Sequence, residues 1–281
     1  MCLTCGCGDE TDVRVLTVDE HIASEPHDHR SGQHHHDHGH GAGHDHALLS
    51  EAEHDALHAR VQTVAIEEAI LAKNDHLAEH NRRWLADRGI TALNLMSSPG
   101  SGKTSLLERT IAELRGQRPL SVIEGDQETT FDADRIRRAG ARAVQVNTGA
   151  GCHLDAPMVQ RAIEALDPEP GSLLFIENVG NLVCPALFDI GEQAKVVIIS
   201  VTEGHDKPLK YPNMFSAADL VIVNKTDLLP YVDFDLEVFG GYARRLNPNV
   251  QILPLSARTG EHLQAWYDWL AADDFAASSD P

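Results

Sequence analysis

The sequence has no long apolar run and an excess of negative charge. No stretch of its 281 residues approaches the roughly 20 consecutive apolar residues that a membrane-spanning helix needs. Residues 1–20 lack the basic start and apolar core of a secretory signal peptide. The net charge is −20, from 43 acidic and 23 basic side chains. This argues against a nucleic acid or an anionic membrane as the main partner, because phosphate binding needs a basic surface.

Cysteine is also scarce, with five residues in the chain. Cys2, Cys5 and Cys7 lie within the first seven positions, whereas Cys152 and Cys184 are far from them in sequence. An odd number with this grouping is not the pattern of a secreted disulfide framework. We therefore expect a cytoplasmic protein whose reduced thiols are available to bind metal ions.

Histidine, in contrast, is abundant and concentrated at one end. Residues 1–58 hold twelve of the 17 histidines, with twelve acidic residues, two arginines and no lysine. The segment HDHRSGQHHHDHGHGAGHDH at 27–46 has almost no apolar residue, so it cannot offset the chain entropy lost on folding. We expect residues 1–58 to be a metal-binding tail, disordered over its His-rich part at 21–58. Neutral imidazoles bind Ni²⁺ or Zn²⁺, which favours metal storage over a merely solvated linker.

The rest of the chain, 59–281, alternates short apolar runs with helical patterns. An apolar stripe from Val61 to Leu85, followed by Gly89, predicts an N-terminal helix. Seven apolar runs follow, at 91–96, 119–125, 141–147, 172–178, 195–202, 219–224 and 250–255. Most are separated by ten or more residues with helical signals. This rhythm predicts an α/β fold with a mainly parallel sheet covered by helices on both faces.

The strongest local signal is a phosphate-binding loop in LNLMSSPGSGKTSLL at 93–107, where Ser97 stands at the usual first glycine. Glycines let backbone N–H groups converge on phosphate oxygens, and the helix N-terminus adds positive potential. Lys103 can reach the terminal phosphates and the Thr104 hydroxyl can hold Mg²⁺. The candidate nucleotide-binding residues here are Gly100, Ser101, Gly102, Lys103, Thr104 and Ser105. A strand before and a helix after favour a P-loop NTPase over a tight turn of similar sequence.

The segment VIVNKTD at 221–227 indicates which base is bound. A carboxylate at Asp227 accepts two parallel hydrogen bonds from adjacent N–H donors, which guanine offers and adenine does not. Asn224 and Lys225 would brace this loop, and LSART at 255–259 supplies Ser256 and Ala257 as a second base loop. Alone, the motif fits a turn with a helix cap at Thr226 equally well, but its position after a phosphate loop favours guanine binding.

Two acidic residues complete a candidate magnesium and catalytic group with Lys103 and Thr104. Asp126 ends the run SVIEGD, and Glu177 ends LLFIEN, followed by Gly180 where GTPases often have Asp-x-x-Gly. Open α/β sheets bind their ligands at the carboxyl ends of strands, so both acids are expected at the nucleotide. The alternative is a pair of strand-end acids in solvent.

The N-terminal cysteines can surround one metal ion. Three thiolates from Cys2-x-x-Cys5-x-Cys7 and the chain's own amine would make four ligands. Deprotonated amine and thiolates suit square-planar Ni²⁺, while thiolates also suit Zn²⁺ and Cu⁺. The alternative is a set of harmless thiols on a frayed terminus.

Cys152, His153 and Cys184 form a less obvious candidate metal site. A lone Cys-His pair is usually incidental and Cys184 alone would be read as structural. Cys184, however, follows Glu177 by seven residues, on the segment expected to respond to the terminal phosphate. A metal bound there would be linked to the nucleotide state. One chain offers three such ligands, so two chains could share the ion.

Taken together, these motifs resemble the HypB family, the nickel-inserting GTPases of nickel–iron hydrogenase maturation. The resemblance rests on the opening Cys2-x-x-Cys5-Gly6-Cys7, the His-rich tract and the segments MSSPGSGKTSLL, EGDQ, GCHLDA, ENVGNLVCPA, EGHDKPLKYP and NKTD. Ser97 belongs to this family's own loop pattern. The resemblance implies the dimeric, metal-handling class of P-loop GTPases, with slow, regulatory hydrolysis of GTP in the presence of Mg²⁺.

The resemblance also implies roles for the metal ligands and the partners. Cys2, Cys5 and Cys7 would form a high-affinity nickel site, and Cys152 and Cys184 a weaker one with His153, near the dimer contact, with zinc as a possible alternative ion. Nickel would pass to the hydrogenase large subunit with the help of a small zinc-containing chaperone. Two other functions stay open: nickel storage and detoxification with a secondary GTPase, and service to another nickel enzyme such as urease. The cysteine opening and ENVGNLVCP argue against the urease type.

Overall fold

One eight-stranded sheet organises the part of the chain that the structure describes, residues 14–16, 51–126, 131–149 and 151–272 of this computed structural model. The strands are β1 Arg14–Leu16, β2 Thr91–Ser97, β3 Leu120–Asp126, β4 Arg142–Asn147, β5 Leu173–Glu177, β6 Ala194–Ser200, β7 Leu220–Asn224 and β8 Gln251–Pro254. Their spatial order is β1-β4-β3-β5-β2-β6-β7-β8. Strands β2 to β8 are parallel, which confirms the predicted sheet.

Helices follow most of the strands along the chain. They are α1 Glu51–Ala86, α2 Lys103–Leu114, α3 Phe131–Ala139, α4 Ala156–Leu166, α5 Lys207–Lys210, α6 Pro212–Ser216, α7 Leu236–Leu246 and α8 Leu263–Ala271. Three short 3₁₀ helices cover Cys184–Leu187, Val201–Glu203 and Thr226–Tyr231. No helix in the described ranges combines the length and apolarity needed to cross a bilayer.

The seven predicted strands are all present, with ends that differ from the predicted ones by at most two residues. Strands β2, β3, β5, β6 and β7 are fully or mostly buried, as parallel strands covered on both faces must be, whereas β4 is half buried and β8 is partly exposed. Strand β1 was not predicted, because three residues are too few to show a pattern. It pairs antiparallel with β4 at the edge of the sheet.

Helix α1 covers the apolar stripe that predicted an N-terminal helix and is longer than that stripe. Helix α1 begins at Glu51, so the composition boundary drawn between residues 58 and 59 lies inside it, and residues 51–58 are helical rather than disordered. This end of the helix is rich in alanine and glutamate, which favour helix whatever their polarity. The chain divides into two compact units, residues 18–72 and the remainder. Residues 21–50 and the cysteine cluster at 2–7 lie outside the described residues.

Apolar side chains fill layers on both faces of the sheet. On one face, Leu107 of α2 and Trp266 of α8 pack with Phe175 of β5, and the Trp266 indole N–H donates to Thr110 Oγ1 at 2.9 Å. On the other face, the layer includes Ile163 of α4 and, farther along, Phe239 of α7. Helices therefore cover both faces, as predicted.

The second half of α1 holds two loops that bear on the site described below. Asn81 Nδ2 donates to the carbonyls of Ala156 and Ile190, at 3.0 and 3.1 Å. Asn74 Nδ2 donates to Asp189 O at 2.7 Å, and its Oδ1 accepts from Ala156 N at 2.9 Å. Both asparagines are buried. The start of α4 and the Asp189–Ile190 turn are thus tied to the same helix face.

We expect Asn81→Ala to lower the free energy of unfolding by about 2 kcal/mol, because it leaves two buried carbonyls without their donor. Urea unfolding followed by tryptophan fluorescence measures the change. Asn213→Ala removes an exposed amide and is the matched control, expected to cost less than about 0.5 kcal/mol. Equal losses in the two variants would show that the buried hydrogen bonds do not stabilise the fold.

Candidate nucleotide and metal sites

The predicted phosphate loop lies between the end of β2 and the start of α2. Gly100 and Gly102 have φ angles of 75° and 97°, a left-handed conformation that favours glycine. A Cβ on Gly102 would lie 2.4 Å from Asn224 Nδ2, so no other residue fits there. The helix that follows starts at Lys103, and its N-terminus faces the cavity that the loop borders.

This cavity has a volume of about 560 Å³, within the usual range for small-molecule sites. It lies at the carboxyl ends of the central strands, where open α/β sheets bind ligands. Its lining includes all six predicted loop residues and both predicted acids: Gly100, Ser101, Gly102, Lys103, Thr104, Ser105, Asp126 and Glu177. The structure therefore brings together the residues that were predicted to bind phosphates and magnesium.

Lys103, Thr104 and Glu177 are in direct contact at this end of the cavity. The Thr104 hydroxyl donates to Glu177 Oε1 at 2.7 Å. The Lys103 ammonium donates to the carbonyl of Asn178 at 2.7 Å and lies 3.6 Å from Glu177 Oε1. The Lys103 and Glu177 side chains are only 10% and 5% exposed. A hydroxyl and carboxylates at one point offer the oxygen ligands that Mg²⁺ prefers.

Two charged residues that line the cavity, and a third residue beside the phosphate loop, were not predicted. Glu124 is buried on β3, in register with Glu177 on the neighbouring strand. Its position two residues before Asp126 puts both acids on one face of the strand, a period-two signal that could have found it. Arg135 of α3 also lines the cavity, and its guanidinium holds Glu108 through two hydrogen bonds of 3.0 and 2.7 Å.

The third unpredicted residue is Glu203, which ties the phosphate loop to the 3₁₀ helix after β6. It accepts a short hydrogen bond from the Ser98 hydroxyl and a second one, at 2.9 Å, from Ser200 N. The Lys207 ammonium lies 3.4 Å from the same carboxylate. Glu203 thus links Ser98 of the phosphate loop to the segment from Ser200 to Lys207.

The predicted base loops lie together beside the phosphate loop. Asn224 Nδ2 donates to Ser101 O at 2.9 Å, and its Oδ1 accepts from Ala257 N at 3.0 Å. Lys225 has a positive φ of 63° and its ammonium donates to Gly100 O at 2.6 Å. Asn224 and Lys225 therefore brace three segments of chain.

Asp227 and Ser256 face each other across the two base loops. The Ser256 hydroxyl donates to Asp227 Oδ1 at 2.7 Å and accepts from Thr259 N at 3.1 Å. Arg109 of α2, which was not predicted, donates to the carbonyls of Ala257 and Arg258 at 3.0 and 2.9 Å. Its contribution could not be found in the sequence, because nothing in a helix pattern shows which loop a side chain will reach.

Cys152, His153 and Cys184 also come together. Their candidate ligand atoms all lie within 4.8 Å of one another, and among the described residues no other group of three such side chains does. Cys152 Sγ is 3.6 Å from His153 Nδ1. The His153 ring stacks on Phe188, with centroids 4.0 Å apart. Burial lowers the pKa of His153, although Asp155 opposes this, so the imidazole is in the neutral form that binds metal.

The surface beside this cluster is apolar. Val183 and Leu187, which flank Cys184 in and next to its 3₁₀ helix, are 48% and 51% exposed. Three ligands are one fewer than tetrahedral or square-planar coordination needs. An ion bound by these three side chains would therefore need a further ligand, from water or from another chain.

Comparison with known proteins agrees with this geometry. The CobW/HypB/UreG nucleotide-binding domain family matches residues 91–254. The hydrogenase maturation factor HypB of Rhizobium leguminosarum bv. viciae is 62% identical over 207 residues, which cover 74% of this chain and 69% of that protein.

Two solved structures are similar in both fold and sequence. The HypB crystal structure from Archaeoglobus fulgidus has a TM-score of 0.67 and 42% identity, over 72% of this chain and 98% of that one. HypB from Helicobacter pylori, in complex with nickel, has a TM-score of 0.68 and 39% identity, over 71% and 94% of the two chains. Sequence motifs, fold and relatives agree: the chain belongs to the HypB family of hydrogenase maturation factors.

Proposed function

We propose that this chain is a nickel metallochaperone that uses GTP binding and slow GTP hydrolysis to deliver Ni²⁺ to the large subunit of a nickel–iron hydrogenase. One observation carries the proposal. The segment from Glu177 to Cys184 touches the phosphate loop at its first residue and supplies a candidate metal ligand at its last. A single short piece of chain therefore belongs to both sites.

The two base loops, at 221–227 and 255–259, select GTP because they present groups that match guanine. Asp227 presents a carboxylate at the position where the base would lie, and Ser256 holds one of its oxygens. Two acceptor oxygens match the adjacent N–H donors of guanine. The brace formed by Asn224 and Lys225 fixes the distance between this carboxylate and the phosphate loop.

Lys103 and the loop N–H groups bind the phosphates and orient them in line for attack by water. The oxygen donors of Thr104, Asp126 and Glu177 fit Mg²⁺, which when bound neutralises charge on the phosphates. Lys103 lies 3.6 Å from Glu177 Oε1 and donates to the carbonyl of Asn178, so its ammonium already lies at the phosphate end of the cavity before a nucleotide binds.

The cargo is nickel, held by thiolates and a neutral imidazole. Cys152, His153 and Cys184 supply this ligand set, which suits Ni²⁺ and also Zn²⁺. The nickel complex of the Helicobacter pylori relative supports nickel. Cys2, Cys5 and Cys7 form a second, tighter site.

The protein acts as a homodimer, formed through the apolar surface of Val183 and Leu187 so that two clusters face each other. A small zinc-containing chaperone assists transfer to the hydrogenase. GTP binding shifts the Glu177 segment, re-aims Cys184 and Cys152, and changes nickel affinity; hydrolysis resets the chain.

We expect Asp227→Asn to weaken GTP binding at least tenfold, about 1.4 kcal/mol. The amide replaces one acceptor with a donor, so binding of xanthosine triphosphate should improve, since xanthine carries an oxygen where guanine carries its amino group. Titration with fluorescent nucleotides measures both affinities. Asp233→Asn, an exposed acid nearby, is the control and should leave them unchanged. An undiminished preference for GTP would exclude Asp227 as the base-reading group.

We expect Cys184→Ser to abolish nickel binding at the internal cluster while nucleotide affinity stays within about twofold. The full chain with Cys2, Cys5 and Cys7 replaced by serine isolates the signal, because only Cys152 and Cys184 can then give thiolate-to-nickel absorption. Absorption that persists without Cys184 would contradict the proposed ligand set.

In the same serine background, nickel affinity should differ at least tenfold between the GDP state and a state with a non-hydrolysable GTP analogue, about 1.4 kcal/mol of coupling. Competition with a chelator of known affinity measures it. The same affinity in both states would mean that GTP controls partner docking or the terminal cysteines rather than this cluster.

A further inference from the structure

The amide side chain of Asn178 lies between the nucleotide cavity and the loop that carries Cys152 and His153. Asn178 directly follows Glu177 at the end of β5 and is 1% exposed. A buried amide is tolerated only when its polar atoms are hydrogen-bonded, so each contact that it makes constrains the structure on both sides.

The backbone of Asn178 is held by the phosphate-loop side of the molecule. Its N–H donates to Leu95 O at 3.0 Å, on the strand that leads into the phosphate loop. Its carbonyl accepts from Lys103 Nζ at 2.7 Å. The lysine that is placed to bind terminal phosphates therefore restrains this peptide unit.

The side chain of Asn178 is held by the metal-ligand loop. Its Oδ1 accepts from Leu154 N at 3.0 Å, and Leu154 directly follows His153. Its Nδ2 donates to Asn94 Oδ1 at 3.2 Å, so the amide orientation is fixed. The Leu154 side chain is fully buried against Gly125, where a Cβ would lie only 2.8 Å from it. Leu154 and Asn178 therefore cannot shift independently.

These contacts give nucleotide binding a direct physical route to the metal ligands. Phosphate oxygens compete with the Asn178 carbonyl for the Lys103 ammonium, because a hydrogen bond between two ionised groups adds a charge–charge attraction that a neutral carbonyl does not provide. We propose that Asn178 is the positioning residue that links the phosphate-bound state of Lys103 to the placement of Cys152 and His153. This inference rests on the proposed function, since it names the residue through which that function's coupling acts.

The test compares nickel affinity with GDP and with a non-hydrolysable GTP analogue in Asn178→Ala. The full chain with Cys2, Cys5 and Cys7 changed to serine is used, and thiolate-to-nickel absorption is the readout. Where the parent shows a ratio of tenfold or more, the ratio in Asn178→Ala should fall to about threefold or less. A purely structural role would weaken nickel binding equally in both nucleotide states and leave the ratio unchanged.

Asn181→Ala is the matched control. Asn181 Nδ2 donates to Cys152 O at 3.3 Å and its Oδ1 accepts from Val183 N at 2.8 Å, so this asparagine contacts the same loop through hydrogen bonds to residues outside the phosphate loop. It should weaken nickel binding alike in both states and keep the parent ratio. If Asn178→Ala does not fold, Asn178→Ser makes the same comparison, because its hydroxyl is too short to reach Leu154 N.

The possible outcomes distinguish a failure of the role proposed for Asn178 from a failure of the proposed function. A tenfold ratio in the parent that survives in Asn178→Ala overturns the role of Asn178 and leaves the proposed function standing. A ratio near one in the parent removes the coupling itself, and the role of Asn178 with it. A ratio lost in both asparagine variants would assign the effect to the metal loop as a whole and also overturn the role of Asn178.

Discussion

The parallel alignment of β2, β3 and β5 is the constraint on which both sites depend. Leu95 pairs with Glu177, and Glu124 pairs with the same residue from the other side. Because side chains alternate along a strand, a slip of one residue would turn Glu177 into an apolar layer and bring Ile176 to the cavity. Since Ile176 is fully buried in the core on one face, the packing of the sheet holds the acid at the phosphate loop.

The same core makes it possible to bury charge at the site. Lys103 and Glu177 are nearly enclosed, and desolvation of two such groups costs free energy that pairing alone does not recover. The remaining cost is offset by hydrogen bonds: Thr104 donates to the carboxylate, and the Asn178 carbonyl accepts from the ammonium. The Thr104 hydroxyl and the Glu177 carboxylate, held in this way, offer a ligand fixed charges and dipoles rather than mobile ones.

Much of the fold could be predicted from the sequence, for a physical reason. Parallel strands covered on both faces must be continuous apolar runs, and helices between them must be amphipathic, so the order of elements is visible in composition alone. The residues of the phosphate and base loops were predicted because glycine, lysine and aspartate at fixed spacing have few structural alternatives. Site residues can therefore be predicted from the sequence where a residue type has a chemical property that few others share.

What the sequence did not reveal depends on contacts between distant segments. Arg109 and Arg135 extend from helices to a loop and a cavity wall, and ordinary helix residues carry no mark of their destination. Asn178 was not predicted as a site residue, since its contacts are with Leu154 and Asn94, which are 24 and 84 residues away. The start of α1 was missed because composition changes at a different place from secondary structure.

The segment that joins the two sites, from Glu177 to Cys184, begins in the core and ends beside exposed side chains. Glu177 belongs to a buried strand, and Val179 and Leu182 after it are only 9% and 5% exposed. Close-packed interiors resist gradual deformation, so a displacement that begins at the phosphate loop is not absorbed there. Val183 and Leu187 are about half exposed, and little packing opposes their movement. We therefore expect Cys184, a candidate ligand beside the exposed Val183 and Leu187, to adapt when the nucleotide changes.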